Sequence, residues 1–346
     1  MPLHLSKKKA TVLALSLFIL VGASLLAGFA CYLSSPAQKG TPDQIFFVME
    51  GSTLSEVADG LEKNKLIRSR KLFLIWARFM GHARHIKAGE YGLNPEMTPL
   101  HILEILSRGE IVTHPVTIPE GYSRMQIASL LEQKGLVDKN DFLTLTGDPD
   151  IAGSYGLPGP DLEGYLYPDT YQFSRGLSAT SIVDVMVRRF LEVIAPFRDQ
   201  IKGSGMTLAQ VVILASIVEK ETGCAEERPL IASVFLNRLK KRNRLESDPT
   251  VIYGIKDFNG NLTRKDLVRH TPYNTYAIRG LPPGAIANPG KEAIKAVLYP
   301  AKASYMYFVS KNDGTHYFSK TLSEHNNAVR IYQKNRRTRK KMKNLQ

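Results

Sequence analysis

From Ala10 to Leu33 the chain runs for 24 residues without a charge, mostly Leu, Val, Ala, Phe and Ile, directly after Lys7, Lys8 and Lys9. As a helix such a run spans roughly 36 Å, enough to cross a bilayer core of about 30 Å. It also exceeds the apolar core of about 7–15 residues expected of a cleaved signal peptide. Small residues at Ser35-Pro36-Ala37 offer a competing cleavage site, but the length favours a retained anchor. The three lysines hold the N-terminus on the cytoplasmic side, so the large C-terminal part is expected outside. Cys31 follows Gly28-Phe29-Ala30, a poor lipidation signal, and reads as a small apolar residue of the span. With Cys224 as its only companion, far along the chain, no internal disulfide is expected.

The net charge of +14 is not spread over the body. Three of the charges are Lys7 to Lys9, and eight more fall between Arg330 and Lys343, where no acid occurs. Without those 11 residues, 35 basic side chains face 32 acidic ones. A nearly neutral body argues against a nucleic-acid footprint. The basic tail is expected to stay solvated and to attract anionic lipid headgroups.

After a short Ser/Pro/Gly linker, Phe46-Phe47-Val48 reads as a strand, and the helix after Gly51 is capped by Ser52 or Thr53. A helix over about Ser69 to Met80, a strand over Ala88 to Leu93 and a helix opened by Thr98-Pro99 follow. Val112 to Ile118 is strand-like and Gln126 to Lys134 helical, giving a small α+β region. The strand–turn–helix around Gly51 to Leu61 resembles LysM-type modules, which bind N-acetylglucosamine polymers; a generic α+β spacer is the alternative. Leu162 to Phe173 is dense in aromatics broken by Gly and Pro, suited either to stacking on sugar rings, with Glu163 and Asp169 bonding hydroxyls, or to packing a domain junction.

Thr207-Leu-Ala-Gln210 is a capping box, and the helix predicted over Leu208 to Thr222 is apolar nearly all round for ten residues, the pattern of a central buried helix. Two carboxylates close it, Glu219 and Glu221. At about 100° per residue they diverge by roughly 200° and cannot share a face. Glu219 lies over Ala215 and Ser216, small residues that leave room for a ligand, and Glu221 over bulkier Ile217 and Val218. A carboxyl at the end of a buried helix holds its proton more tightly and can deliver it to a glycosidic oxygen. The structural alternative pairs Glu219 with Lys220, Arg228 or another cation.

Asp248-Pro-Thr-Val-Ile-Tyr253-Gly254 has the form of a short helix with Asp248 as its cap. Tyr273-Asn274-Thr-Tyr276 and the Gly280 to Gly290 stretch form rigid, helix-free backbone suited to lining a groove. Asn274 and Asn288 offer donor and acceptor together, although Asn288-Pro289 equally suits the cap of a helix over Glu292 to Leu298. Tyr305 to Ser310 and His316 to Ser319 around Asn312-Asp-Gly signal a hairpin, with a last helix opened by Thr321. The histidines have no metal-ligand spacing, and neither a phosphate loop nor a dinucleotide fingerprint occurs, so no metal or cofactor is expected.

Ala215-Ser-Ile-Val-Glu-Lys-Glu-Thr222, Asp248 to Gly254, Tyr273 to Tyr276, Gly280 to Gly290 and Glu163 to Tyr171 together resemble the endolytic murein transglycosylases, the MltG or YceG-like proteins. The resemblance runs from the anchor to about Tyr332 and sets the basic tail apart. It implies a lyase of the inner (cytoplasmic) membrane, single-pass, whose periplasmic part cuts nascent peptidoglycan strands internally and so ends their elongation, with cell-wall synthases as partners. The family's catalytic Glu is the first acid of Val-Glu-Lys-Glu-Thr, which lands on Glu219. Asp248, Tyr253, Asn274, Tyr276, Asn288 and Glu163 are the expected substrate-binding set. Two rivals stand beside this reading: a muramidase-type hydrolase using Glu219 with Asp248, and a non-catalytic glycan-binding scaffold. The expected fold is α+β: a cytoplasmic tail (1–9), a transmembrane helix (10–33), a linker (34–44), a LysM-like α+β region (45–118), a mixed α/β catalytic domain with a central buried helix (119–333) and a basic tail (334–346).

Overall fold

The computed structural model describes residues 7–81 and 86–334 and divides the chain into two compact units. The basic run from Arg336 to Lys343 lies outside the described residues. The first unit holds the chain up to His114 together with Gln172–Leu177, and the second holds the remainder.

In the first unit, α1 (Lys7–Ser34) carries the apolar run, with Thr11–Ser34 long and apolar enough to cross a membrane. Its side chains are mostly exposed, but Tyr32 and Leu33 are buried at its end. The following residues are no free tether: Gln38 N–H donates to the Pro95 carbonyl and Arg68 Nε to the Ala37 carbonyl. β1 (Gln44–Val48) buries Phe46 and Val48 while Ile45 and Phe47 face outward, the period-two alternation of a half-covered strand. α2 (Leu54–Lys63) begins at Thr53, whose hydroxyl and Glu56 form a reciprocal capping box. α3 (Arg70–Phe79) is capped by Ser69 and turns Phe73, Leu74 and Ala77 inward. β2 (Gly89–Leu93) pairs antiparallel with β1 in the register Phe46–Tyr91 and Val48–Gly89. α4 (Pro99–Arg108) starts with the Thr98 cap and Pro99 and stops at Gly109, whose φ of 66° is the left-handed C-terminal conformation glycine favours. Buried Phe46, Tyr91, Phe73, Leu61 and Ile102 form one core among these elements.

β3 (His114–Thr117) leads onward. α5 (Arg124–Gln133) has a Ser123–Gln126 capping box, and α6 (Lys139–Thr146) and α7 (Pro149–Ser154) are capped by Asp138 and Asp148. β4 (Thr170–Phe173) pairs with β3. α8 (Ala179–Ile194) and α9 (Arg198–Ser204) precede α10 (Leu208–Glu221), in which every residue from Val211 to Val218 is buried. α11 (Arg228–Lys240), α12 (Asp248–Tyr253), α13 (Arg264–Val268) and α14 (Lys291–Leu298) follow. α11, α12 and α14 all pack on α10. β5 (Tyr307–Ser310) and β6 (His316–Ser319) make the antiparallel hairpin, with Val309 opposite Tyr317, and α15 (Leu322–Val329) packs on it.

The aromatic stretch turns out to be interior. Leu162, Tyr165, Leu166, Tyr167 and Tyr171 are buried, and the Tyr165 ring meets Phe190 edge-on at 5.1 Å. These rings are therefore not available for stacking on a sugar, and Asp169 is engaged by Arg189 at 2.8 Å.

Candidate active site

The Thr207 hydroxyl accepts the Gln210 N–H, and the Gln210 side chain accepts the Thr207 N–H, so α10 starts with satisfied donors. Its other end delivers Glu219, whose side chain is only 5% exposed. Oε2 accepts the Gly290 N–H at 3.0 Å, and Oε1 accepts from the Arg228 guanidinium at 3.0 Å. Burial raises the proton affinity of this carboxyl above the ordinary carboxylate range, against the opposing pull of the Gly290 N–H and the Arg228 charge. Arg228 is shared: Glu120, with about half of its side chain exposed, lies 3.6 Å from the same guanidinium nitrogen.

The room expected beside Glu219 is filled by the chain itself. Ala215 and Ser216 are fully buried, and the Ser216 hydroxyl accepts the Ile286 N–H at 3.1 Å. The stretch from Ile286 to Gly290 thus lies along this face of α10 and brings the Gly290 N–H to Glu219. Its placement is fixed by Asn288, which is fully buried. Asn288 Oδ1 accepts the N–H groups of Gly164 and Leu166, each at 2.9 Å, and Nδ2 donates to the Tyr122 carbonyl and to Glu163 Oε1, each at 2.9 Å. Asn288 is not the cap of the following helix; Gly290 occupies that position in α14, without a side-chain cap.

Glu163 joins the same network. Its carboxyl accepts the Arg124 N–H and the Tyr253 hydroxyl at 3.0 Å, and burial pushes it up to about 7 despite those donors. Burial likewise raises Tyr253, whose ring lies 4.8 Å from that of Tyr273. Glu163, Tyr253 and Asn288 are therefore brought together, but as an interior brace with its polar atoms mutually satisfied. Asn274 is also fully buried and braces a loop: Nδ2 donates to the carbonyls of Leu267 and Arg269, and Oδ1 accepts the Tyr276 N–H at 2.9 Å. Neither asparagine presents a free amide to a ligand.

Glu221 leaves α10 on the other face, as helical spacing requires. The Ser247 hydroxyl donates to it, and burial pushes its carboxyl up to about 7, with the nearby Asp248 charge acting in the same direction. Asp248 is the first residue of α12; Ser247 holds the cap position and makes no side-chain cap. The Asp248 carboxylate instead accepts the Tyr276 hydroxyl at 2.8 Å, so capping does not account for it. Glu221, Asp248 and Tyr276 line a cavity of about 450 Å³ together with Arg238, Tyr307 and His316. Glu219 is not among its lining residues.

Sequence reasoning did not single out Glu120, Ser247 or Gly290 as individual residues. The Pro119-Glu-Gly-Tyr122 turn before the Ser123 capping box is a signal that marks a loop, not a charge partner. Among the described residues, no group of three His, Cys, Asp or Glu side chains is arranged to hold a metal ion.

Comparison with known proteins gives likenesses of three kinds: a family, curated relatives and a solved structure. The YceG-like family matches residues 46–331. The endolytic murein transglycosylase of Bacillus subtilis (strain 168) is 32% identical over 331 residues, covering 91% of each chain. That of Streptococcus pneumoniae serotype 2 (strain D39) is 30% identical over 82% of this chain and 57% of its own longer one. A crystal structure described as a yceG-like protein from Listeria monocytogenes is 36% identical, with a TM-score of 0.57 over 84% of this chain and all of that one.

Proposed function

The chain belongs to the YceG-like family, and from that membership we propose that it is an endolytic murein transglycosylase, a lyase acting on peptidoglycan. Its reaction cuts the bond between N-acetylmuramic acid and N-acetylglucosamine within nascent strands, leaves a 1,6-anhydromuramoyl end, and so stops their elongation. The observation that carries the mechanism is the state of Glu219: a sheltered carboxyl of raised proton affinity, held by one backbone N–H and by the Arg228 guanidinium.

A hydrolase needs a second carboxylate to activate water or to attack the sugar. A lytic transglycosylase does not, because the muramoyl C6 hydroxyl attacks its own anomeric carbon. Glu219 first donates its proton to the bridging oxygen and then takes the C6 proton, ending as it began. For the first step Arg228 must release Glu219, and exposed Glu120 is the anion that receives it. Glu163, Tyr253, Asn274 and Asn288 serve this site by holding its loops, while Asp248 and Tyr276 are left to meet the glycan. The first unit is proposed as LysM-like and glycan-binding, with α1 as a retained anchor, the N-terminus cytoplasmic, the body periplasmic and cell-wall synthases as neighbours.

The cavity favours a second reading in which Glu221, beside Asp248, supplies the proton. Mass analysis of products from purified uncrosslinked strands separates the possibilities. A product one water lighter than a hydrolytic fragment is expected from the wild type, no cleavage from folded Glu219→Gln, and retained cleavage from Glu221→Gln. Hydrolytic products, or cleavage surviving in Glu219→Gln and lost in Glu221→Gln, would refute the assignment.

A further inference from the structure

The apolar helix and the unit that follows it are locked together at a defined level. The Tyr32 hydroxyl donates to the Ser69 carbonyl at 2.8 Å, at the residue that caps α3. The Phe29 ring meets Trp76 edge-on with centroids 6.0 Å apart, and Trp76 stacks on Phe79 at 5.8 Å. At about 1.5 Å per residue, Phe29 lies about 7 Å below Ser34 along α1. The 24-residue span is longer than a bilayer core of about 30 Å by only a few ångströms at each end. Phe29 therefore falls just inside the hydrocarbon boundary, and the aromatic cluster it touches falls at the same depth.

α3 carries a second apolar surface, separate from the one that fills the core. Phe73, Leu74 and Ala77 face inward, yet Ile75 is 57% exposed, Phe79 79% and Met80 45%. Lys71 and Arg78, both exposed, share one stripe of the helix, flanking Ile75 and Phe79 at about 100° per residue. Long basic side chains of this kind place their heads at lipid phosphates while their stems cover apolar surface. Trp and Tyr prefer this same interfacial level.

We infer that the Trp76–Met80 end of α3 is a membrane-docking surface whose occupant is the headgroup–acyl boundary of the bilayer that α1 crosses. The inference rests on the reading of α1 as a membrane span and adds a second point of attachment. Two attachments, with Gln38 and Arg68 tying down the stretch between them, hold the first unit against the bilayer where a single tether would let it swing. Such docking draws on buried apolar area together with attraction to anionic lipid.

Trp76 is the chain's one tryptophan, so its fluorescence reports on this site alone. The full chain is reconstituted into phospholipid vesicles containing lipids brominated either near the ester end or near the tail end of the acyl chains. Flotation and alkaline extraction establish separately whether α1 is inserted. The expected result is an inserted protein whose emission is quenched several-fold more by shallow than by deep bromine and little by aqueous acrylamide. Phe79→Ser with Met80→Ser should reduce the shallow quenching while leaving insertion unchanged. An inserted protein quenched by acrylamide and indifferent to bromolipid would overturn the docking and leave the span standing. Bromolipid-insensitive emission with concentration-dependent crosslinking at this face would overturn it in favour of a second copy. Failure to insert would remove the span and this inference with it.

Discussion

The Arg228 guanidinium donates to Glu219 at 3.0 Å while standing 3.6 Å from Glu120, so one cation is held between a sheltered carboxyl and an exposed one. Pairing favours the ionised form of Glu219 and burial favours the neutral form; burial is the larger effect. Replacing Arg228 with Ala removes the pull toward ionisation, so the Glu219 proton affinity should rise further. An acid catalyst loses activity as pH climbs through its pKa. The alkaline limb of kcat/KM should accordingly move to higher pH. A limb that stays in place, or moves down, would detach Arg228 from the acid.

Glu221→Gln tests the cavity wall through stability. The ordinary carboxyl value is 4.5, and in the fold it is pushed up to about 7. A raised folded value means that stability is fully present below the unfolded value and is lost as pH rises through about 7. Glu163, also pushed up to about 7, contributes in the same direction. Thermal unfolding at pH 5 and pH 8 should show the wild type losing Tm across that interval and Glu221→Gln losing visibly less. Equal losses in the two proteins would show that Glu221 is ionised throughout.

Asn288→Ala removes the two acceptor and two donor contacts that tie together the backbones of Tyr122, Gly164 and Leu166 and the Glu163 carboxyl. Buried groups left without partners cost about 1–3 kcal/mol each, partly recovered by relaxation or by water. Denaturant unfolding should show a loss of at least about 3 kcal/mol. A loss below about 1 kcal/mol would mean that the brace is not what holds the 286–290 stretch on α10.

Local chemistry was the legible part of this fold. Thr53, Thr98, Thr207 and Thr321 cap helices where hydroxyl spacing places them, and the 307–319 hairpin follows from turn rules. The opposition of Glu219 and Glu221 was equally readable, because helical geometry fixes it before any tertiary contact forms. What sequence could not supply was the identity of the neighbours. Small residues beside Glu219 signalled space, and only long-range packing shows that Ile286 to Gly290 fills it. Asn288 and Asn274 offered amides, but their partners are backbone atoms of distant loops, which no local pattern encodes. The aromatics from Tyr165 to Tyr171 fit either sugar or core until burial decided. Helices α6 to α8 went unassigned from sequence, although Asp138, Asp148 and Ser178 cap them by the same side-chain rule.

Gly164 offers a paired test of how tightly this site is packed. Its φ of +91° is one that side-chain-bearing residues rarely adopt, and an added Cβ would lie 2.6 Å from Val212 and 2.7 Å from Ala285. Both neighbours are buried, one on α10 and one beside the Ile286 to Gly290 stretch, so neither can give way without moving an element that positions Glu219. Gly176 has a similar φ of +85° with nothing within 4 Å, and so isolates the backbone strain. Gly176→Ala should cost about 1–2 kcal/mol from conformation alone. Gly164→Ala adds crowding to the same strain and should cost about 3–5 kcal/mol. Because the displaced residues carry Gly290 and Ser216, its cleavage rate should also fall more than its folded fraction does, which Gly176→Ala should not show. Equal unfolding losses in the two variants would mean that the Val212–Ala285 contact yields freely, and the Gly290 N–H would then not be rigidly aimed at the Glu219 carboxyl.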